Sequence, residues 1–281
     1  MTAPWRLNKP PVPQKQSAII AGAGAVVEAW APILKALEPY HDFPLTPDGA
    51  NSFLARVVYL VRWFSQLDND FGRAELKRHL EFMNAIKASI ASELRLAQGE
   101  GKTACRPSLK LMMERLVIPY SSSFMLVTTN WDTVVPDSIQ RLMAADWHLH
   151  LYPLHIHGSM KDASTLYLPS EVTHEPYRTN SEGQAIGGIH GSVWRALEDA
   201  SRVIVYGLSI DPLDAELGQT LAAGWSNPAL EEIFIINPRH DVVAHRVNLL
   251  LDRQRDVRVI GLNPDTLSEE ADYTIWRHSK K

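Results

Sequence analysis

The chain has a single cysteine, Cys105, in 281 residues. One thiol excludes an intrachain disulfide and any zinc site built from several cysteines, and it fits a reducing, cytoplasmic compartment. No segment approaches the roughly 20 consecutive apolar residues of a membrane helix, so no membrane partner is expected. Positive charge is not in excess. The 28 Lys and Arg are outnumbered by 32 Asp and Glu, for a formal net charge of −4, and direct nucleic-acid binding is not expected. Internal repeats and low-complexity tracts are absent. What is present is an ordinary globular composition, 45% hydrophobic and 21% charged, long enough for one large domain or two small ones. Residues 1–16 carry Pro4, Pro10, Pro11 and Pro13 without a long apolar run. They read as an extended surface arm able to clasp a neighbouring subunit, and not as a signal peptide.

The apolar pattern divides the rest. Ser17–Ala21 reads as a buried strand running into the turn Gly22-Ala23-Gly24, with a helix over Ala25–Leu37 in which Pro32 limits the start. Ser52–Leu67, Ala74–Leu96 and Ser108–Ile118 show helical spacing. Strands then return: Phe124–Thr128, Leu149–Ile156, Arg202–Tyr206, Glu232–Ile236 and Val257–Gly261. The helices between them are Asp132–Ala144, Ser192–Ala200, Asp214–Ala223 and Val242–Leu251. Nearly continuous apolar strands separated by helices imply a parallel sheet covered on both faces. The expectation is an α/β chain with a Rossmann-like parallel sheet of about six strands, flanked by helices, and a helical insertion at about 50–119 after the first βα unit. Its core domain spans 17–265, with 266–281 as a C-terminal tail. The Ser159–Gly188 stretch, rich in Ser, Thr, Glu and Gly, reads as a long active-site loop.

Five segments fall at the C-terminal ends of strands, the edge where open parallel sheets bind ligands. Gly22-Ala23-Gly24 lets a backbone approach a pyrophosphate, with free helix N–H groups beyond it. In Thr128-Thr129-Asn130-Trp131-Asp132, Asn130 both donates and accepts while an ionised Asp132 only accepts; either can instead cap the following helix. His155 and His157 fall on one strand face at period two, and a neutral imidazole is a natural general base. Gly207 permits close approach and Ser209 adds a hydroxyl. Asn237 is placed to meet a sugar hydroxyl. Taken singly, each has a purely local explanation; together they mark one rim.

The ordered set Gly22-Ala-Gly24, Thr129-Asn-Trp-Asp132, His157-Gly158, Gly207-Leu-Ser209 and Ile236-Asn237 resembles the sirtuin superfamily. More closely it is similar to the bacterial sirtuin-like proteins of antiphage defence, many of which degrade NAD. The resemblance implies that NAD is the substrate, with Gly22, Ala23 and Gly24 facing its pyrophosphate. Asn130 would hold the nicotinamide ribose or the attacking water, Thr129 would be among the NAD-binding residues, Asp132 would lie near the carboxamide, and His157 would activate a ribose hydroxyl or water. Gly207 and Ser209 would hold phosphate or ribose, and Asn237 the adenosine ribose. It also implies a homo-oligomer and a partner subunit, such as an ATPase or a nucleic-acid sensor, that gates the activity. The expected reaction is cleavage of the nicotinamide–ribose bond to nicotinamide and ADP-ribose, with no metal. Two features depart from the sirtuin deacetylases: the four-cysteine zinc module cannot be built, and Ala25-Val26-Val27-Glu28 stands where they carry Gly-Ile-Pro-Asp-Phe-Arg. Protein deacetylation is therefore not expected.

Two other readings are open. One is a sirtuin-like nucleotide-binding or scaffold subunit without catalysis. The other is a metal-dependent hydrolase using His148, His150, His155 and His157 with Asp162; here Gly158 and Ser159 follow the second pair, where dense metallo-hydrolase signatures place Asp and His.

Overall fold

The computed structural model describes residues 15–40, 42–146, 152–252, 256–267 and 273–278. Most of the N-terminal arm, His148, His150, the start of the strand expected at Leu149 and parts of the C-terminal tail lie outside these residues. In chain order the elements are β1 (Lys15–Ala21), β2 (Val26–Val27), α1 (Ala31–Leu37), α2 (Pro47–Ser65), α3 (Asp70–Gly99), β3 (Ala104–Cys105), α4 (Ser108–Met112), β4 (Ser121–Thr128), α5 (Val134–Asp146), β5 (Leu154–His155), α6 (Asn180–Glu198), β6 (Ala200–Tyr206), α7 (Ala215–Trp225), β7 (Glu232–Ile236), α8 (His240–Leu250), β8 (Arg258–Leu262) and β9 (Tyr273–Arg277).

The fold is α/β. Its central sheet has seven strands in the order β5-β4-β1-β6-β7-β8-β9, and all neighbours are parallel except β9, which runs antiparallel to β8. Counted among themselves, the six parallel strands lie in the spatial order 3-2-1-4-5-6, the doubly wound arrangement of dinucleotide-binding sheets. The seventh strand comes from the stretch read as a tail: Tyr273-Thr-Ile-Trp-Arg277 pairs antiparallel with β8 and forms the sheet edge.

Period-two alternation distributes the central strands between two cores. Ala18, Ile20, Val203, Val205, Ile233 and Ile235 pack on one face with residues of α6, α7 and α8. Ile19, Ala21, Ile204, Tyr206, Phe234 and Ile236 pack on the other with α4 and α5. Both faces are thus dry, which is why these strands read as continuous apolar runs. Thr46 and Asn69 cap α2 and α3 by accepting from Gly49 N and Gly72 N. These helices and α1 enclose a third core of Leu37, Leu54, Val58, Ile86 and Ile90, which also takes in Trp131 and Leu168 from the sheet side. Among the described residues no helix is long and apolar enough to cross a membrane.

Three expectations are corrected. No helix starts at Ala25: one 3₁₀ turn, Ala23–Ala25, leads into β2, which pairs with β3, and α1 covers only Ala31–Leu37. The β-branched pair Val26-Val27 prefers extended backbone, and Pro32 suits only the first helical turn. Second, Ser159–Gly188 is not all loop, since α6 begins at Asn180 behind a capping box in which Thr179 and Glu182 bond each other's backbone N–H. Gly183, Gly187, Gly188 and Gly191 hide this helix from a reading by propensity. Third, Ser108–Ile118 starts as α4 but continues from Met113 to Val117 as a π-helical turn.

Candidate functional site

The turns that follow β1 and β6 are locked together. Gly24 N donates to Gly207 O at 2.8 Å, and Gly22 N donates to Tyr206 O at 2.9 Å. Gly207 has φ +63°, and a Cβ there would lie 2.0 Å from Ala25 N, so only glycine fits. These turns bound the crevice between the first and fourth parallel strands, the topological switch point. A cleft of about 340 Å³ opens there. Nine of the ten candidate residues line it: Ala23, Gly24, Thr129, Asn130, Asp132, His157, Gly207, Ser209 and Asn237. Gly22 does not line it. It packs against the β6 turn, where a Cβ would meet Leu208 Cα at 2.7 Å. The helix N-terminus expected just behind the glycine turn is absent, because the 3₁₀ turn and β2 intervene.

The polar groups differ in how far they are already committed. Asn130 is buried, and its Nδ2 has no hydrogen-bond partner among the described residues. A buried amide donor without a partner is costly unless a ligand completes it. Its carbonyl faces His155 Nδ1 at 3.2 Å. Asp132 both lines the cleft and accepts from Val134 N at 2.9 Å, so it turns the chain into α5 as well; burial pushes its carboxyl above the usual range. Asn237 is held locally, with Oδ1 accepting from Arg239 N and Nδ2 donating to Leu208 O. Ser209 is exposed, and its carbonyl accepts from Arg246. The next residue, Ile210, has φ +55°, a strained conformation for a β-branched side chain and one that clusters at functional sites.

His157 is the best-anchored member. Its Nε2 lies 2.9 Å from Asp214 Oδ2, yet off the line of a directed hydrogen bond and shielded from solvent. The Thr129 backbone also favours the charged form of the ring. Burial alone would lower the imidazole pKa, but the Asp214 carboxylate and the Thr129 backbone outweigh it and raise it. For Asp214, burial would raise the carboxyl, and the His157 charge outweighs that and lowers it. Each group of the pair thus favours the charged form of the other. The Tyr167 ring stacks on His157 at 5.6 Å, with its hydroxyl donating to Glu216. Gly158 has φ +75° and passes so close to the Thr165 carbonyl that a Cβ would lie 1.9 Å from it. This sharp bend sets the angle at which His157 leaves the sheet.

β5 ends at His155, so the period-two relation does not extend to His157. The two imidazoles instead have separate partners, the Asn130 carbonyl and Asp214. Burial lowers the pKa of His155. Among the described residues no group of three or more His, Cys, Asp or Glu side chains is arranged to hold a metal ion.

The loop between β5 and α6 is clamped from below. Glu171 is buried and accepts from Lys87 Nζ at 3.1 Å, Arg178 at 2.5 Å, Tyr177 at 3.1 Å and Leu168 N at 2.5 Å. Glu175 is paired with Arg62 of α2. These bonds fix Tyr167 and Leu168 against the cleft and tie the loop to the helical region.

Asp214 and Tyr167 were not among the candidates read from the sequence. Asp214 was visible only as the start of a helix, and it does cap α7 by accepting from Leu217 N at 3.3 Å. The overlooked signal is that this cap ends the connection from β6, whose C-terminal end lies on the ligand-binding rim. Trp30 and Ile33 at the start of α1, Asn51 of α2 and Leu94 of α3 also line the cleft, and none of them belongs to a motif. Comparison of the chain with protein-family models and with curated proteins yields no match.

Proposed function

We propose that this chain is an NAD glycohydrolase: the cleft binds NAD and the chain breaks its nicotinamide–ribose bond to release nicotinamide and ADP-ribose. One observation carries the reading. At the switch point of a doubly wound sheet, two small-residue turns pack backbone to backbone, and the same cleft holds a buried, unpartnered Asn130 amide and the His157–Asp214 pair. The turns of Gly24 and Gly207 suit a pyrophosphate, which needs close backbone approach. Asn130 and His157 mark the reacting end. Nicotinamide leaves from an oxocarbenium-like ribose, so the site has to orient the sugar, stabilise positive charge and admit water.

The resemblance to antiphage sirtuin-like proteins supports a wider role as the toxic, cytoplasmic effector of a bacterial defence system. In that role the chain acts as a homo-oligomer gated by a partner subunit such as an ATPase or a nucleic-acid sensor. A second reading, a nucleotide-binding subunit without catalysis, is favoured by the setting of His157, whose Nε2 faces Asp214 and is shielded from solvent.

The test is incubation of the purified chain, alone and with the product of its neighbouring gene, with NAD and mass-spectrometric detection of products. Nicotinamide and ADP-ribose should appear in equal amounts with wild type. Asn130→Ala and His157→Ala, each confirmed as folded, should lose most of this activity. Turnover at the wild-type rate by both variants would overturn the site assignment, and NAD binding without turnover would select the second reading.

A further inference from the structure

Resting on the NAD-cleaving reading, we infer that the proton acceptor of the reaction is the carboxylate of Asp214, and that His157 is its charge partner. Asp214 lines the cleft. It sits on the turn between β6 and α7, where Leu217 N holds Oδ1 at 3.3 Å and His157 flanks Oδ2 at 2.9 Å. Its oxygens are therefore fixed at the mouth of the switch-point crevice. His157 is worse placed to accept a proton. Its Nε2 is shielded from solvent and faces Asp214. A ring nitrogen shut off from solvent and turned to a carboxylate is not open to a water in the cleft.

A carboxylate also suits the electrostatics. Positive charge builds on the ribose as the bond to nicotinamide stretches, and an anion beside it stabilises that state, as in glycoside hydrolysis. Water attacks the anomeric carbon while the carbon–nitrogen bond breaks. The bond's electron pair leaves with nicotinamide and cancels its pyridinium charge. The water's proton passes to Asp214 and then to solvent. The products are ADP-ribose, nicotinamide and one proton, and no oxidant or reductant is needed.

Several charged and titratable groups surround the pair. His190 of α6 and Glu171 of the clamped loop act on it, Tyr167 stacks on His157, and Glu216 of α7 and Arg178 in turn act on His190 and Tyr167. His190 donates its Nδ1 proton to Thr220 Oγ1 at 3.2 Å, since that hydroxyl is itself donated to the Glu216 carbonyl. Burial lowers the His190 pKa, which disfavours a second positive charge beside the pair.

The test compares steady-state NAD cleavage by wild type, Asp214→Asn and His157→Gln across pH. Asparagine preserves the cap of α7, so Asp214→Asn should fold. Its kcat should fall by roughly 10²–10⁴-fold, the contribution of a general base, with KM changed less than about threefold. His157→Gln should lose less activity than Asp214→Asn. Its acid limb should move to higher pH, because Asp214 then lacks its cation. Sodium formate should restore part of the activity of Asp214→Ala. A loss in His157→Gln equal to or greater than that in Asp214→Asn, or no rescue by formate, overturns the assignment. A wild-type protein that cleaves no NAD, even with its partner, removes the underlying reading and this role with it. A wild type that cleaves NAD while Asp214→Asn stays within tenfold of it removes the role alone.

Discussion

Replacing Gly207 by alanine probes the contact that builds the cleft. The residue has φ +63°, and its added Cβ would lie 2.0 Å from Ala25 N and 2.3 Å from Gly24 C. A left-handed backbone costs a non-glycine residue about 1–2 kcal/mol, and overpacking a closed contact costs about 1–3 kcal/mol more. Both contacts are with backbone, which cannot swing aside as a side chain would. The expected loss is therefore about 2–5 kcal/mol, with the Gly24–Gly207 hydrogen bond broken or lengthened. Urea unfolding followed by far-ultraviolet circular dichroism reads this directly, provided the slope of the transition is unchanged. Gly99→Ala is the matched control. It ends α3 with nothing within 4 Å of its Cβ position, and it should be neutral or stabilising by up to about 1 kcal/mol. If Gly207→Ala is as stable as Gly99→Ala, the two turns are not packed as described, and the cradle built on them is wrong.

Other outcomes follow from the same geometry. The His157 imidazole, followed by NMR, should titrate above the ordinary value of about 6.5, and Asp214→Asn should bring it down. For stability, the raised histidine contributes fully below its unfolded pKa and loses its contribution as pH rises through its folded one. The lowered Asp214 contributes above its unfolded pKa and loses its contribution as pH falls through its folded one. The deficit of Asp214→Asn should thus be largest in mildly acidic solution and shrink on both sides; a deficit independent of pH would contradict the pair. Glu171→Gln strands the buried Lys87 ammonium and should cost about 3–5 kcal/mol, part of which Lys87→Met should restore in the double variant; two independent, additive losses would argue against direct pairing. Cys105 is held up at about 11 by burial. Its reaction with a disulfide reagent at pH 8 should be slower in the native protein, where it is half-buried, than once unfolded, and equal rates would contradict this.

The parts of the fold legible in the sequence are those whose signal is local. Ser17–Ala21, Arg202–Tyr206 and Glu232–Ile236 are apolar because both sheet faces are covered, and their ends mark the ligand-binding rim without further information. The parts that were hidden depend on distant partners. Val26-Val27 leaves the helical path because Ala104-Cys105 is available to pair with it. The glycine-rich start of α6 is helical because its capping box and its packing on α7 outweigh propensity. Tyr273–Arg277 becomes a strand only because β8 offers an open edge. The same divide holds at the site. Asn130 and His157 were visible at strand ends, whereas Asp214 acquires its meaning from His157, 57 residues earlier in the chain, and Tyr167 from Glu216 and Arg178.

The most direct test of the dinucleotide cradle is calorimetric titration of the purified chain with NAD, which requires no activating partner. The expected result is one NAD per chain, competed by ADP-ribose, with a change in tryptophan fluorescence from Trp30 and Trp131 in the cleft wall. Absence of binding at millimolar NAD, or binding unchanged by Gly207→Ala, would contradict it.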